Sequence, residues 1–175
     1  NKRGLIALPE AKLSKLVTQI KFQQEALRSI TEFRSQLGQD IFALLETGAK
    51  KNGYFIEFDA TNGVDLSNTF ILEKNYGWHG ILAEPARCWH DQLFKNRSAI
   101  IDTRCLWSTS GEKIEFNETP TPEFSTIHQF NNSDNHLEYR ANGEKYLVET
   151  VSLNDLLDEH KAPLIIDYLS IDTEG

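Results

Sequence analysis

Three carboxylates surround a polar turn in the sequence. Glu57 lies in the apolar run YFIEF, Asp59 begins the turn DATNG directly after it, and Glu84 ends a second apolar run, GILAE. A carboxylate accepts hydrogen bonds from hydroxyl groups and attracts cations, whereas it repels phosphate. These residue types therefore favour a ligand that carries hydroxyl or cationic groups and lacks phosphate.

The surrounding pattern predicts the elements that would position these side chains. Apolar runs at 54–58, 80–84 and 98–102 alternate with amphipathic stretches at 68–75 and 86–96. This succession is typical of right-handed βαβ units over a parallel sheet. The predicted fold class is α/β, a Rossmann-like doubly wound parallel sheet.

In such a fold the ligand binds at the carboxyl ends of the strands. The first βα turn approaches it closely, and an acidic residue at the end of the second strand accepts hydrogen bonds from ribose hydroxyls. Glu84 follows Gly63 by 21 positions, close to the roughly 20 that separate the motif from that acidic residue. An exposed Glu84 at a strand end, followed by Pro85 as the start of a loop, is the alternative interpretation.

The composition of the turn indicates which ribose-bearing cofactor fits. A dinucleotide requires a second glycine so that backbone amides can approach its pyrophosphate. The turn instead offers Asp59, Ala60, Thr61 and Asn62, without lysine or arginine. S-adenosylmethionine has an adenosine, a sulfonium cation and an ammonium group but no phosphate, so the electrostatics favour it as the cofactor.

Several separated segments carry a family resemblance. FIEFDATNGVDLSNT and LEKNYGWHGILAEPARCWH, with SQLGQD before them and DYLSIDTEG at the end, resemble the FkbM family of S-adenosylmethionine-dependent methyltransferases over about residues 35–175. The resemblance implies a Rossmann-like methyltransferase domain with an acidic-x-Gly-x-x-x-Gly motif that contacts the methionine part of the cofactor. Glu57 and Gly63 match that motif, and Asp59 stands in place of its first glycine.

The resemblance also implies roles for individual residues. Glu84 would bind the ribose, and Asp102 and Cys105 would lie near the adenine. Gln36 and Asp40 match a family segment that packs near the cofactor, although helix capping and surface solvation explain those two equally well. The predicted cofactor-binding residues are Gln36, Glu57, Asp59, Ala60, Thr61, Asn62, Gly63, Glu84, Asp102 and Cys105.

Two acidic residues follow the last predicted strand, where the methyl acceptor would meet the cofactor. If the acceptor is a hydroxyl, alignment supplies much of the rate and a nearby base removes the proton. Asp172 is the first candidate for that base and Glu174 the second. Strand-end acids also act as cofactor ligands or helix caps.

The N-terminal part predicts helices. Apolar residues recur at heptad spacing in an amphipathic helix from Pro9 to about Phe33, which either packs on its own domain or forms a homodimer arm. Ser35 is the predicted N-cap of a second helix over 36–47. Residues 1–34 are therefore interpreted as a helical extension and 35–175 as the N-terminal portion of a methyltransferase domain.

The second half of the chain predicts further strands. Residues 105–118 read as a hairpin around Ser110 and Gly111 or as a paired edge extension, and the polar stretch 118–144 reads as a lid or a poorly ordered segment. A strand at 145–151 precedes a short helix that Ser152 caps. The apolar run at 164–172 predicts a central, doubly buried strand, so we expect the full protein to continue beyond it and supply further strands.

Composition excludes several other functions. Residues 1–52 have a net charge of +4 and residues 53–175 one of −12, which disfavours nucleic acid as a partner. No run is apolar enough for a membrane helix, Cys88 and Cys105 alone form no disulfide framework, and the histidines lack the paired spacing of a metal site. We expect a cytoplasmic protein without a metal.

Three functional hypotheses follow. The first is methyl transfer from S-adenosylmethionine to a hydroxyl of a sugar or other small natural product. The second is a degenerate methyltransferase-like domain, disabled at Asp59, that serves as a binding or oligomerisation module. The third is a nicotinamide-dependent dehydrogenase or epimerase.

Overall fold

The computed structural model of the protein describes residues 9–29, 31–127, 129 and 137–171. The helices in this part of the chain are α1 (Glu10–Ser29), α2 (Gln39–Glu46), α3 (Phe70–Tyr76), α4 (Arg87–Asn96), α5 (Leu137–Arg140) and α6 (Leu153–Glu159). The strands are β1 (Tyr54–Phe58), β2 (His79–Ala83), β3 (Ile100–Asp102), β4 (Cys105–Leu106), β5 (Lys113–Glu118), β6 (Thr126–Ile127), β7 (Glu144–Val151) and β8 (Tyr168–Ser170).

The main sheet is parallel and has the strand order β3-β2-β1-β8. Its two faces belong to different apolar clusters, because successive strand residues point to opposite sides. Phe55 packs with α2, α3 and Leu93 of α4, whereas Ile56 packs with Leu156 of α6. Helices therefore cover both faces, and the predicted α/β class with a parallel sheet is confirmed.

A second sheet has the order β4-β7-β5-β6. β7 lies between β4 and β5, pairing parallel with β4 and antiparallel with β5. The predicted hairpin over 105–118 is therefore wrong, because both of its arms pair with a strand that lies some 40 residues further along the chain. The segment between the two arms connects β4 and β5, which lie on opposite sides of β7.

The N-terminal helices differ from their predicted bounds. Helix α2 begins at Gln39 rather than 36, with Gly38 in the left-handed region before it. Ser35 is not the N-cap as predicted, because Gly38 occupies that position. The Ser35 hydroxyl lies before the helix, where it donates to the Asp40 carboxylate at 2.6 Å and accepts from the Asp40 amide at 3.4 Å. The Ser152 cap is confirmed, because its hydroxyl oxygen accepts a hydrogen bond from the Asp155 amide at 3.2 Å.

Several apolar side chains of α1 are exposed. Leu13, Leu16, Val17 and Ile20 are 43–49% exposed, whereas Phe22 is partly buried and the helix contacts α2. Packing of α1 on its own domain, the homodimer arm and the boundary between residues 34 and 35 stay predictions.

The last strand also departs from its predicted position. Only Tyr168–Ser170 of the predicted strand is extended, and within the described residues β8 pairs only with β1, at the edge of the sheet. Leu164 and Ile165 before it are exposed. The prediction of a central strand is thus not met in the described part of the chain.

A search of the described helices finds none with the length and apolarity that crossing a membrane requires.

Candidate functional site

The turn after β1 has an unusual backbone. The φ angle is 61° at Asp59, 47° at Thr61, 78° at Gly63 and 60° at Leu66. Asp tolerates this left-handed region well, whereas a β-branched residue such as Thr61 enters it only when its surroundings enforce it. Asp59 therefore adopts the positive-φ conformation that glycine usually provides, so the turn accommodates Asp59 in place of the first glycine of the motif.

The side chain of Glu84 ties this turn to the end of β2. It is 1% exposed. One carboxyl oxygen accepts a hydrogen bond from the Thr61 amide at 2.7 Å, and the other accepts one from the Ala86 amide at 2.8 Å. The Asp59 side chain also hydrogen-bonds Glu84. The carboxylate that the sequence places 21 positions after Gly63 thus contacts the turn directly.

Burial raises the pKa of Glu84 to about 7. The hydrogen bonds from Ala86, Thr61 and Asp59 favour the charged form and oppose this shift, whereas the nearby charge of Glu118 adds to it. Burial has the largest effect because a desolvated carboxylate loses the hydration that stabilises its charge. Glu84 therefore exchanges its proton close to neutral pH.

A cavity of about 170 Å³ opens beside Glu84, at the carboxyl ends of β1 and β2. The segment after β3 and the second sheet form its other walls. Its lining is Phe58, Asp59, Ala83, Glu84, Pro85, Ala86, Arg104, Cys105, Leu106, Trp107, Phe116, Pro122, Ser125, Thr126 and Ile127. Apolar walls with a few convergent polar groups are typical of small-molecule sites.

The cation in this lining is already paired. Arg104 donates to the Asp102 carboxylate from Nε at 3.0 Å and from Nη2 at 2.6 Å, and Nη2 also donates to Glu159 at 2.7 Å. Burial by itself would raise the pKa of Asp102, but the hydrogen bonds from Arg104 and His160 outweigh burial and lower it. Asp102 is thus an ionised partner of Arg104, and the cavity lining includes Arg104 but not Asp102.

Cys105 lines the cavity as an inert thiol. Burial raises its pKa to about 12, and the charges of Glu84 and Asp59 add to this effect. The thiolate is the nucleophilic form of cysteine. Cys105 therefore contributes an apolar surface to the cavity, next to Leu106 and Trp107.

The other predicted turn residues shape the turn instead of lining the cavity. Ala60 is 1% exposed and belongs to the apolar core. The Asn62 side-chain oxygen accepts hydrogen bonds from the Val64 and Asp65 amides, each at 2.9 Å. Such Asx turns replace backbone bonding within the turn.

Gly63 lies directly under α4. A Cβ atom built on it would lie 2.6 Å from Arg97 Cγ and 2.7 Å from Leu93 Cδ1. Helix and turn can approach this closely only because Gly63 has no side chain. Its role matches close packing of a helix on the turn.

We expect Gly63→Ala to lower the free energy of unfolding by about 3 kcal/mol, because it adds overlap to an unfavourable φ. Gly111→Ala is the matched control, since Gly111 has a φ of 80° and open space around it. That variant should cost about 1 kcal/mol, from φ alone. Urea denaturation measures both, and equal losses would show that the contact with α4 is unimportant.

Glu57 is occupied by protein partners. Its carboxylate accepts hydrogen bonds from the Asn68 amide at 2.6 Å, from Ser67 Oγ at 3.1 Å and from Thr69 Oγ1. Burial raises its pKa, and the charge of Arg97, 3.8 Å away, opposes that shift. Glu57 therefore holds the segment that leads into α3, and it lies outside the cavity lining.

The predicted SQLGQD residues lie on the far side of the turn. Gln36 is exposed, whereas Asp40 is fully buried. The Asp40 carboxylate accepts hydrogen bonds from the amides of Arg34 and Ser35. A backbone bridge joins Ser35 to Leu66 at the end of the turn, so Asp40 supports the turn from outside the cavity.

The predicted bases Asp172 and Glu174 lie outside the described residues. Their roles stay predictions. Within the ranges that the structure describes, no group of three potential ligands is placed to hold a metal ion.

Sequence reasoning missed two parts of the site. Trp107, Phe116 and Ile127 form apolar walls of the cavity, although their local patterns resemble those of ordinary core residues. Arg97 donates to the Gly63 carbonyl at 3.0 Å. Its position after α4 carries no local signal for this bond, which spans 34 positions of sequence.

A comparison with known protein families identifies the domain. The family model described as the methyltransferase FkbM domain matches residues 47–175, which is more than half of the chain. No curated protein and no solved structure matches the chain. The matched range includes the turn, Glu84 and every strand of both sheets. The chain therefore belongs to the FkbM methyltransferase family.

Proposed function

We propose that this protein transfers a methyl group from S-adenosylmethionine to a hydroxyl of a small molecule, a sugar or other natural product. The observation that carries the proposal is the buried Glu84 carboxyl, which joins the turn after β1 to a cavity at the strand ends. Membership of the FkbM family supports the methyltransferase activity.

The strand order supports a Rossmann-like site. β3-β2-β1-β8 places the first strand between the second strand and the last. In chain order this corresponds to 3-2-1-4, the first part of the doubly wound order in which ligands bind outside the carboxyl ends of the strands. The cavity lies at those ends.

The residues present fit this cofactor. An ionised carboxylate has about four lone-pair sites. On Glu84 the backbone amides of Thr61 and Ala86 take two of them and the Asp59 side chain takes a third. The remaining site suits a ribose hydroxyl. The apolar walls from Trp107 and Phe116 suit a purine ring, and the pairing of Arg104 with carboxylates leaves the cavity unsuited to phosphate.

When bound, S-adenosylmethionine would supply an electrophilic methyl group. The acceptor hydroxyl would form a bond to that methyl as the sulfonium–methyl bond breaks, and its proton would pass to a carboxylate of this chain. Asp172 is the proposed base and Glu174 the second candidate. The chain's contribution is alignment, which accounts for much of the rate in such transfers.

Calorimetric titration tests the proposal. We expect the native protein to bind S-adenosylhomocysteine, with a dissociation constant of about 1–100 μM, and to give no heat with NAD. The two ligands share an adenosine, but only NAD carries a pyrophosphate, which the carboxylates disfavour. Binding of NAD alone would replace the proposal with a dehydrogenase or epimerase. Binding of neither would favour the non-catalytic module.

A further inference from the structure

Arg97 is a buried cation whose guanidinium is bonded on every nitrogen. It follows α4, and its side chain is fully buried. Its guanidinium donates to Glu73 from Nε at 2.8 Å, to the Gly63 carbonyl and Ser67 Oγ from Nη1 at 3.0 and 3.1 Å, and to Thr69 Oγ1 from Nη2 at 2.8 Å. Every nitrogen of the fork is therefore bonded.

These partners belong to different elements that meet at the turn. Gly63 is in the turn, Ser67 and Thr69 lead into α3, and Glu57, 3.8 Å from Nη1, is in β1. Glu57 itself accepts hydrogen bonds from Ser67 and Thr69. Arg97 thus closes a buried network that joins β1, the turn and the start of α3.

The turn needs such support because of its backbone. Several of its residues have positive φ, and strained conformations persist only when surrounding contacts enforce them. Glu84 holds one side through the Thr61 amide at 2.7 Å. Arg97 holds the other side through the Gly63 carbonyl, and Asn96 adds a bond to the Asn62 carbonyl at 2.9 Å.

We infer that Arg97 is a positioning residue, which fixes the turn so that Asp59 and Thr61 meet Glu84 in the geometry that binds the cofactor. The inference rests on the proposed function. The role of Arg97 goes beyond general stabilisation, because its bond to the Gly63 carbonyl fixes the backbone of the turn. Its bond to Glu73 is made to α3 instead. Only a planar fork with several donors reaches both sides of this junction.

The test compares Arg97→Lys with Glu73→Gln. Lysine keeps the positive charge beside Glu57 but cannot bond Gly63, Ser67 and Thr69 together. Glu73→Gln weakens the same network at its outer end, where Glu73 bonds Arg97 and the Ser98 amide, and leaves the bond to Gly63 in place. Both variants are expected to be destabilised, so stability alone does not separate them.

Two measurements separate positioning from stability. We expect Arg97→Lys to weaken binding of S-adenosylhomocysteine by about tenfold or more, and Glu73→Gln by less than about threefold. Without any ligand, amide hydrogen exchange at Thr61 and Gly63 should be at least about tenfold faster in Arg97→Lys than in Glu73→Gln. If Arg97→Lys does not fold, the double variant Arg97→Met, Glu57→Gln removes the bond to Gly63 without leaving the buried carboxylate of Glu57 unpaired, and exchange at Thr61 and Gly63 should again be faster than in Glu73→Gln.

The outcomes are distinct. Equal exchange at the turn in both variants overturns the role of Arg97, whether or not a ligand binds. Faster exchange in Arg97→Lys together with selective loss of affinity supports it. If the native protein binds no S-adenosylhomocysteine, the proposed function fails, and the exchange comparison alone decides whether Arg97 holds the turn.

Discussion

Glu84→Gln should reduce the affinity for S-adenosylhomocysteine by about 10- to 100-fold. The variant loses the negative charge that would accept a hydrogen bond from a ribose hydroxyl. A charged hydrogen bond contributes about 1.5–3 kcal/mol, and every 1.4 kcal/mol changes the affinity about tenfold. The NH2 group of the glutamine would also face a backbone N–H group, because the amides of Thr61 and Ala86 each donate a hydrogen bond to one of the Glu84 carboxyl oxygens. Isothermal titration calorimetry measures the loss.

Glu118→Gln is the matched control. Burial is the main cause of the raised pKa of Glu84, and the charge of Glu118 adds to it. Glu118 accepts hydrogen bonds from the Tyr146 hydroxyl at 2.6 Å and the Cys88 amide at 3.2 Å, and it lies outside the cavity lining. We expect its affinity to stay within about threefold of the native protein. Similar losses in both variants would mean that general acidity near the cavity, and not the Glu84 carboxylate, governs binding.

The contribution of Glu84 to the free energy of unfolding should decrease with rising pH. Its pKa is about 7 in the folded protein, against an ordinary value of 4.5. Below the lower value both states hold the proton, and this carboxyl has no effect on the balance. As pH rises from there to the folded pKa, the unfolded chain releases the proton first and is favoured, by about 3 kcal/mol once pH exceeds the folded value.

Urea denaturation of the native protein and Glu84→Gln at about pH 4.5, 6 and 7.5 isolates this contribution. Other carboxyls have the opposite influence, since the pKa values of Glu73 and Asp102 are lowered on folding. They are present in both proteins, so the difference in unfolding free energy between native and variant removes them. The unfolding free energy of the native protein should fall relative to that of Glu84→Gln as pH rises. A constant difference would show that Glu84 is already ionised in the folded state across this range.

The local sequence pattern was sufficient to predict β1 and β2 of the main sheet. The apolar runs that became β1 and β2 stand between polar turns, and burial on both faces requires such runs. The position of Glu84 beside the turn also followed from sequence, because two adjacent parallel strands bring their carboxyl ends together. Its hydrogen bond from the Thr61 amide was not predicted. The same reasoning explains why Ser152 was found as a cap, since capping depends on residues only three positions apart.

Tertiary structure alone decided the remaining features. β4 pairs with β7 rather than with β5, the cavity receives its apolar walls from the second sheet, and Glu57 turns to the start of α3. Arg97 reaches Gly63 across 34 positions. Each of these depends on where distant segments meet when the chain closes its loops. Residue type and spacing set the propensity and burial of each segment, whereas the partner of a long-range contact is set by the path of the whole chain.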